Sequence, residues 1–374
     1  MKYDKLIEIL ETTHSDMQYQ AFRSVDIALI IRNWLFGFYL VEYEQNGEDR
    51  AEYGARLIEN ISGDLRDRGI KGVSPTNLKK DREFYIEYKQ IRQTVSVESL
   101  VQPQKKAATG TNIQIRQTVS VELAKHFKLS WSHYVNLLTI DDISERKFYE
   151  IESINNSWGV RELKRQIASS LYPRLSASKN KAKIKQLSQK GQIIEKPEDF
   201  IKDPFILEFA GIKEKSRYSE YDLETALINK LEMFLLELGK GFLFEARQRR
   251  FTFDDDHYYV DLVFYNRLLK CYVLIDLKRD KLTHQDLGQM QMYVNYFDRY
   301  VKLKDENPTV GIVLCHRKND ALVELTLPEN SNIFASKYKL YLPTKEELKR
   351  QLVKEIGMVK EEMALYGTQR DSNE

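Results

Sequence analysis

Cysteine is almost missing. Cys271 and Cys315 are the only two in 374 residues, which excludes a disulfide scaffold and a cysteine-rich zinc module. Both sit in apolar runs and are expected to be buried, reduced thiols. Long hydrophobic runs are missing as well. No window approaches the roughly 18 apolar residues of a membrane span, and the longest apolar stretches carry Arg or Asp. The opening MKYDKLIEIL has no basic segment followed by an apolar one, so no secretory signal is indicated. The expectation is a reducing compartment, most simply the cytoplasm, with no membrane partner. Excess charge is also lacking: Lys plus Arg number 58 against 56 for Asp plus Glu, a formal net of +2. That balance excludes a histone-like or wholly acidic protein, yet charge can still be segregated along the chain. What the chain does have is 42% hydrophobic beside 30% charged residues, enough to bury a core through most of its length. Its length suggests two or three domains.

The front third reads helical. Ile27, Leu29, Ile30, Ile31, Leu35 and Leu40 follow helical spacing between Tyr19 and Tyr43, and Asn46-Gly47 is a stop signal. A second helix is expected over Glu52–Arg68, with Gly69 and Gly72 breaking the chain. Ser74 is a good N-cap and Pro75 fits the first helical position. The helix that follows carries Phe84, Tyr85 and Tyr88 amid Lys79, Lys80 and Arg82. Helix, short turn and basic helix make a helix-turn-helix-like layout, readable as a DNA contact through Lys79 and Lys80 or as a scaffold or dimerisation unit. The nonapeptide Gln90–Glu98 recurs as Gln114–Glu122. Two copies are too few for a solenoid, so residues 90–122 read as a duplicated linker without chemistry. His133, a lone histidine near aromatics, reads as packed or surface.

From Arg161 to Lys190 basic residues outnumber acids nine to one. A solvated linker face would explain this. So would a track along phosphates through Arg161, Lys164, Arg165, Lys181, Lys183 and Lys185, since clustered cations release counterions from nucleic acid. Pro197 and Pro204 then mark a boundary. The expected domains are a helical, DNA-contacting 1–170, a basic linker 171–203 and a catalytic 204–374.

The pattern changes after Tyr218. An amphipathic helix is expected over Asp222–Leu238, stopped by Gly239 and Gly241. Strands follow over Phe242–Phe253, Tyr258–Tyr265 and Cys271–Lys278. Further strands are expected at Thr309–Cys315 and Lys337–Leu342, with a last helix from about Thr344. Polar residues interrupt the strands at few places: Asp261 inside YYVDLVFY, and Asp276 with Lys278 at the end of CYVLIDLK. A charge inside an apolar strand is costly unless paired or bound to metal. Asp276 and Lys278 are two apart and share a face; Asp261 reaches it if the hairpin register allows. Oxygen ligands suit Mg²⁺ or Mn²⁺, and no cysteine or histidine is placed for zinc. The cation would polarise a phosphate and acidify water, with Lys278 orienting that water and offsetting transition-state charge. The competing explanation is a structural ion pair between Asp276 and Lys278. His257 and His284 read as surface or supporting residues.

Asp261 followed by Asp276-Leu277-Lys278 resembles the signature of the PD-(D/E)XK nuclease superfamily, and the chain is more closely similar to its YhcG-like group. The matching stretches are DLETALINKLEMFLLELGKGF, YYVDLVFYNRLLKCYVLIDLK and NPTVGIVLCHRKND, with YGARLIENISGDLRDR, SPTNLKKDREFY, LSWSHYVNLL and FYEIESINNSWGVRELKRQI in the front part. The resemblance implies an α+β chain: a mostly helical, winged-helix-like N-terminal domain, then a restriction endonuclease-like α/β core whose mixed sheet is flanked by helices. It implies Asp261, Asp276 and the Leu277 carbonyl as metal ligands. Glu224 is the acid that such nucleases carry on their first helix, where it would hold a metal-bound water or a second metal, and Lys278 the group that positions water. Gln289 and Tyr293, spaced as Q-x-x-x-Y on a helix capped by Thr283, would face the site and the DNA backbone. Val260 stands where a proline is usual, and Asp276 is the shorter of the two acids accepted there.

The function expected is a metal-dependent DNA endonuclease using Mg²⁺ or Mn²⁺ and no small-molecule cofactor. A homodimer would be favoured if both strands are cut. The alternative from another class is a DNA-binding or assembly factor that keeps the nuclease fold with little or no activity. An RNA-directed nuclease is disfavoured, because no RNA-recognition signature is present.

Overall fold

The structure, a computed structural model, describes residues 26–45, 56–93, 123–176, 181–213, 217–253, 255–328, 331–343 and 347. Most of the first nonapeptide copy, all of the second, and the expected helix from Thr344 lie outside these residues. Backbone packing divides the chain into two units between Lys164 and Arg165.

The front unit is helical. Helix α1 covers residues 26–45 and meets the expected helix there. It is followed by α2 (Leu57–Asp67), α3 (Pro75–Glu87), α4 (Trp131–Leu137), α5 (Ile143–Asn155) and α6 (Val160–Ala168), the last of which crosses the unit boundary. Ser74 caps α3 as expected: its Oγ accepts the Asn77 N–H at 3.3 Å, and Pro75 opens the helix. Leu40, Val73 and Leu78 pack with Ile58, Ile61 and Leu65, so the α2–turn–α3 pair closes over α1. A Cβ on Gly37 would stand 2.0 Å from the Asp81 carbonyl oxygen; only glycine lets α1 and α3 approach this closely. Trp34, Phe38, Phe84, Tyr85, Phe127 and Tyr134 fill the centre, with ring pairs such as Trp34–Tyr85 at 5.1 Å. His133 is a packed residue, bonded to Ser130 Oγ at 2.7 Å and the Trp158 carbonyl at 2.9 Å. No strand occurs among the described residues of this unit, so the wing of a winged helix is not among them.

The segment expected to be a linker is folded. Helices α7 (Leu171–Ser176) and α8 (Lys181–Lys190) bury Leu171, Leu175 and Leu187. The rear unit then builds a six-stranded sheet, β1 (Phe205–Ile206), β2 (Phe242–Phe253), β3 (Asp256–Asn266), β4 (Cys271–Lys281), β5 (Val310–Arg317) and β6 (Ile333–Lys339), in the order β1-β6-β5-β4-β3-β2. Strands β2, β3 and β4 are antiparallel, whereas β4, β5, β6 and β1 run parallel. Two expectations shift. The last strand is Ile333–Lys339, not Lys337–Leu342, because its parallel register against β5 runs from Gly311↔Ile333 to Cys315↔Lys337 and buries Ile333 and Ala335. The amphipathic helix is two helices, α9 (Glu220–Asn229) and α10 (Leu231–Leu238), broken at Lys230, whose φ of −123° is not helical. Buried Leu223, Leu227, Phe234 and Leu238 stay 4, 7 and 4 residues apart across the break, so the spacing carries no mark of it.

Helices α9 and α10 cover one face of the sheet. There Leu223, Leu227, Phe234 and Leu238 pack on Leu262, Phe264, Val273, Ile275 and Leu277. Helix α11 (His284–Tyr300) covers the other, where Leu287, Met290, Tyr293, Val294 and Phe297 pack on Val263, Leu274 and Val313. Each such buried side chain stabilises the fold by about 1.5–3 kcal/mol. Gly311 brings α11 close to β5, since a Cβ there would stand 2.6 Å from Met290 Cγ. Both cysteines are buried free thiols in these layers. A short helix, α12 (Asp320–Thr326), follows β5. No helix among the described residues is long and apolar enough to cross a membrane.

Candidate active site

Strands β3 and β4 pair from Asn266↔Cys271 to Leu262↔Ile275. One step further, Asp261 takes over from the backbone ladder: its Oδ2 accepts the Leu277 N–H at 2.9 Å. A strand residue presents its N–H and C=O to the same edge, so the Leu277 carbonyl is turned toward this gap too. Asp276 lies beside it on β4 and is only 3% exposed. Lys278, two residues on, shares its face, and its Nζ stands 2.9 Å from Asp276 Oδ2. That ammonium serves a carboxylate with a second buried carboxylate, Asp261, beside it.

The electrostatics follow from this crowding. Burial, then the charge of Asp261, pushes Asp276 up to about 7. Burial raises Asp261 as well, opposed by the Leu277 N–H and reinforced by Glu224. For Lys278, burial pulls downward, but Asp276 outweighs it and the net shift is upward. Two neighbouring buried carboxylates resist double ionisation unless a cation joins them.

Glu224, on α9, is buried and already engaged. It accepts from Arg247 Nε and from Gln248 Nε2. The same Gln248 amide donates to Asp261 Oδ1 at 3.0 Å, so one side chain ties helix α9 to strand β3. Gln248 has φ of 47°, a left-handed conformation inside a strand, which costs of order 1–3 kcal/mol for a non-glycine residue. Arg247 also reaches Thr225 Oγ1 at 2.8 Å and lies over the Tyr221 ring.

Helix α11 closes the site from the other side. Thr283 caps it as expected, and Asp286 closes a reciprocal box with that cap. Asp286 Oδ1 lies 3.9 Å from Lys278 Nζ. Gln289 Nε2 donates to Tyr293 Oη at 2.5 Å. Tyr293 is pushed up to about 12 by burial and then by the charge of Asp276, and so remains a neutral hydroxyl beside the acids. The geometry therefore brings Asp261, Asp276, Lys278 and Tyr293 together. Gln248, Arg247 and Asp286 are additions that sequence patterning missed. No periodicity marks a glutamine whose role comes from a left-handed backbone and a neighbouring helix.

A divalent cation fits this donor set in part. Oxygen ligands from Asp261, Asp276 and the Leu277 carbonyl match Mg²⁺ or Mn²⁺, and two buried carboxylates sharing one ammonium leave room for further positive charge. Among the described residues no three His, Cys, Asp or Glu side chains converge at metal-holding spacing. Glu224 stays with Arg247 and Gln248. Two carboxylates with water and phosphate oxygens are a common Mg²⁺ environment.

Over residues 198–353 the chain matches the family described as YhcG PDDEXK nuclease domain, and over residues 9–174 the DUF1016 N-terminal domain. It is 39% identical over 364 residues to the Escherichia coli (strain K12) protein named "Putative nuclease YhcG", a match spanning 96% of this chain and 95% of that one. The chain belongs to the YhcG family of PDDEXK nucleases. A repair endonuclease from Pyrococcus abyssi aligns with a TM-score of 0.24 and 17% identity, over 35% of this chain and 50% of that one.

Within this YhcG-family chain the expected phosphate track is split by the fold. Arg161 and Lys164 are exposed on α6, and Lys185 is exposed on α8. Lys79 is exposed and pairs with Glu59 at 3.3 Å, while Lys80 is half-buried. Lys183 stands 3.7 Å from Asp199. The side chain of Lys181 lies outside the described residues. Arg165 departs from the expectation. Its guanidinium is nearly buried, with Nε 2.9 Å from Glu208 Oε1 and Nη2 3.4 Å from Glu237 Oε2. Its charge is consumed inside the protein, because the acids that balance the basic run come from later in the chain.

Proposed function

We propose that this chain is a metal-dependent endonuclease that hydrolyses phosphodiester bonds in DNA. One observation carries the proposal: at the point where β3 and β4 part, the buried carboxylates of Asp261 and Asp276 stand together with one ammonium, that of Lys278, 2.9 Å from Asp276 Oδ2. Mg²⁺ or Mn²⁺, when bound, supplies Lewis acidity at a phosphate and acidifies water. Asp261, Asp276 and the Leu277 carbonyl hold the cation. Lys278 orients the attacking water and offsets negative charge as the phosphate oxygens develop it. Glu224 holds Gln248 and Arg247 in place beside Asp261. Gln289 and Tyr293 steady the far side of the site and meet the phosphate backbone through neutral donors. Exposed Lys79, Arg161, Lys164 and Lys185, with Lys80, Lys181 and Lys183, add attraction for DNA. Arg165 is left out of that set. Cutting both strands favours a homodimer, since one site of this kind cuts one strand. The cytoplasm is the natural compartment for such an enzyme with two reduced cysteines, and no small-molecule cofactor is needed.

The test is cleavage of supercoiled, linear and single-stranded DNA with Mg²⁺ or Mn²⁺, beside Asp276→Ala and Lys278→Ala. Cleavage that needs the metal and both residues supports the proposal. Metal-dependent cleavage that persists undiminished in Lys278→Ala overturns it. A second reading, a DNA-binding factor with little or no activity, draws support from Glu224, which Arg247 and Gln248 hold away from any three-acid cluster. It predicts that Asp276→Ala binds DNA as the parent does and that the parent cuts nothing.

A further inference from the structure

Along α11, within one turn of the motif residues, lies a groove that the proposed chemistry does not use. Its cavity is about 340 Å³, lined by Phe251 and Phe253 of β2 and by Gly288, Tyr296, Arg299 and Tyr300 of α11. Phe253 is 58% exposed and Tyr300 64%, a large apolar display for a soluble surface. The rings are ordered. Tyr296 stacks on Phe251 with centroids 4.0 Å apart and planes 19° off parallel. Tyr300 continues the row from Tyr296 at 5.2 Å. Phe251 meets the edge of Tyr293 at 5.6 Å. A row of aromatics therefore runs from the surface to the tyrosine beside the carboxylate pair.

Two further features mark the groove as a receptor for flat rings. Gly288 sits inside α11, and a Cβ there would meet nothing within 4 Å. Alanine in its place would favour the helix by about 1 kcal/mol, so the missing side chain leaves room at the groove floor. Arg299 lines the groove and has no ion pair among the described residues. Asp255 and Asp256 at the β2–β3 turn and Asp298 within α11 are the acids nearby in sequence. Phosphates are therefore not drawn here by a basic track, and recognition falls to ring faces plus one cation. Unpaired nucleobases supply that chemistry, because every base has a π-face and each is followed by a phosphate that Arg299 can meet.

We infer that this groove binds unpaired bases of single-stranded DNA, so that the preferred substrate carries a single-stranded segment next to the scissile bond. The inference rests on the DNA-nuclease proposal and names the substrate form for it. The exposed rings of Phe253 and Tyr300 would take the bases, and the buried Phe251 and Tyr293 tie that platform to the carboxylates.

The test uses the full chain in chelator, with anisotropy of labelled oligo-dT, an abasic oligomer of the same length, and a blunt duplex. Oligo-dT is expected to bind about tenfold more tightly than the abasic strand. Phe253→Ala and Tyr300→Ala should each erase at least about a fivefold part of that preference. Gly288→Leu, which fills the groove without removing a ring, should do the same with an unlowered melting temperature. Equal binding of abasic and oligo-dT overturns the inference. So does a Phe253→Ala/Tyr300→Ala variant that dissociates a dimer yet binds oligo-dT as before, which would make the groove an interface between copies. The two proposals fail separately. Base-dependent binding without cleavage of any DNA sinks the nuclease and leaves the groove standing. Cleavage with no discrimination against abasic strands does the reverse.

Discussion

Two buried carboxylates on opposite faces of the same sheet have opposite fates. Glu237, on α10, has no exposed surface. Its Oε1 accepts from Arg174 Nη1 at 2.6 Å and from the Ile206 N–H at 3.0 Å, its Oε2 faces Arg165, and Lys202 donates to its carbonyl. Burial opposes its charge, but Arg174 first, then Lys202 and Arg165, outweigh burial and hold the acid at about 2. Asp276 is nearly as buried, has one ammonium at 2.9 Å and a second carboxylate beside it, and is pushed up to about 7. One acid is fully compensated and acts as a structural rivet joining α6, α7, α10 and the β1 edge. The other is left short of positive charge at a gap in the sheet. A buried charge with its partners supplied stabilises a particular packing; one with a partner withheld is a place for a cation to enter.

The sharpest break in that comparison is removal of Asp276 on one side and of the arginine that holds Glu237 on the other. Asp276→Ala should cut metal-dependent cleavage by about a thousandfold or more, while urea unfolding of the metal-free protein shows little loss of stability, because burial and Asp261 already disfavour the charged acid and offset the lost Lys278 pair. Arg174→Ala should do the opposite to stability. It strands Glu237 in the interior, and the cost is about 3–5 kcal/mol, read as a lower urea midpoint.

The pH dependence sharpens the contrast. For Glu237 the folded value lies below the unfolded one, so its contribution is present above about 4.5 and is lost as pH falls toward about 2. For Asp276 the folded value lies above the unfolded one. Its contribution is present below about 3.8 and is lost as pH rises through about 7. Without metal, the melting temperature of the parent relative to Asp276→Asn should therefore rise as pH is lowered from 8 to 5. Added Mg²⁺ should flatten that difference, because binding requires the ionised acid. A flat difference without metal would remove the electrostatic argument for this site.

The smallest effects separate two neighbours on α6. Lys164→Gln should leave stability within about 0.5 kcal/mol and lower the slope of DNA affinity against log salt by about 1. Arg165→Gln should lose stability and leave the slope unchanged. Equal slopes for both variants would remove Lys164 from the DNA contact.

The candidate site was legible in part. Asp261, Asp276 and Lys278 stood out because charge is rare inside apolar strands, and that rarity survives without any knowledge of packing. Strand β2 was legible at both ends, and Thr283 announced its helix as an N-cap, a signal that is local by nature. Gln248 was not legible, since its amide matters only because a left-handed residue aims it between Glu224 and Asp261. Strand β1 was hidden by its two-residue length, and its pairing with Tyr338 and Lys339 reaches across more than a hundred residues.

The amino-acid order by itself determined the helical front, the run of strands that follows, the family and the three charged residues at its centre. These rest on local spacing, capping and the cost of charge in apolar strands, all of which act over a few residues. Only the tertiary structure decided which charges are spent. It buried Arg165 and Arg174 against Glu237, left Asp276 with a single ammonium, held Glu224 through Gln248, and lined up Phe251, Tyr296 and Tyr300 into a groove. Coulomb energy and desolvation depend on distance and burial in space, and chain order does not carry either.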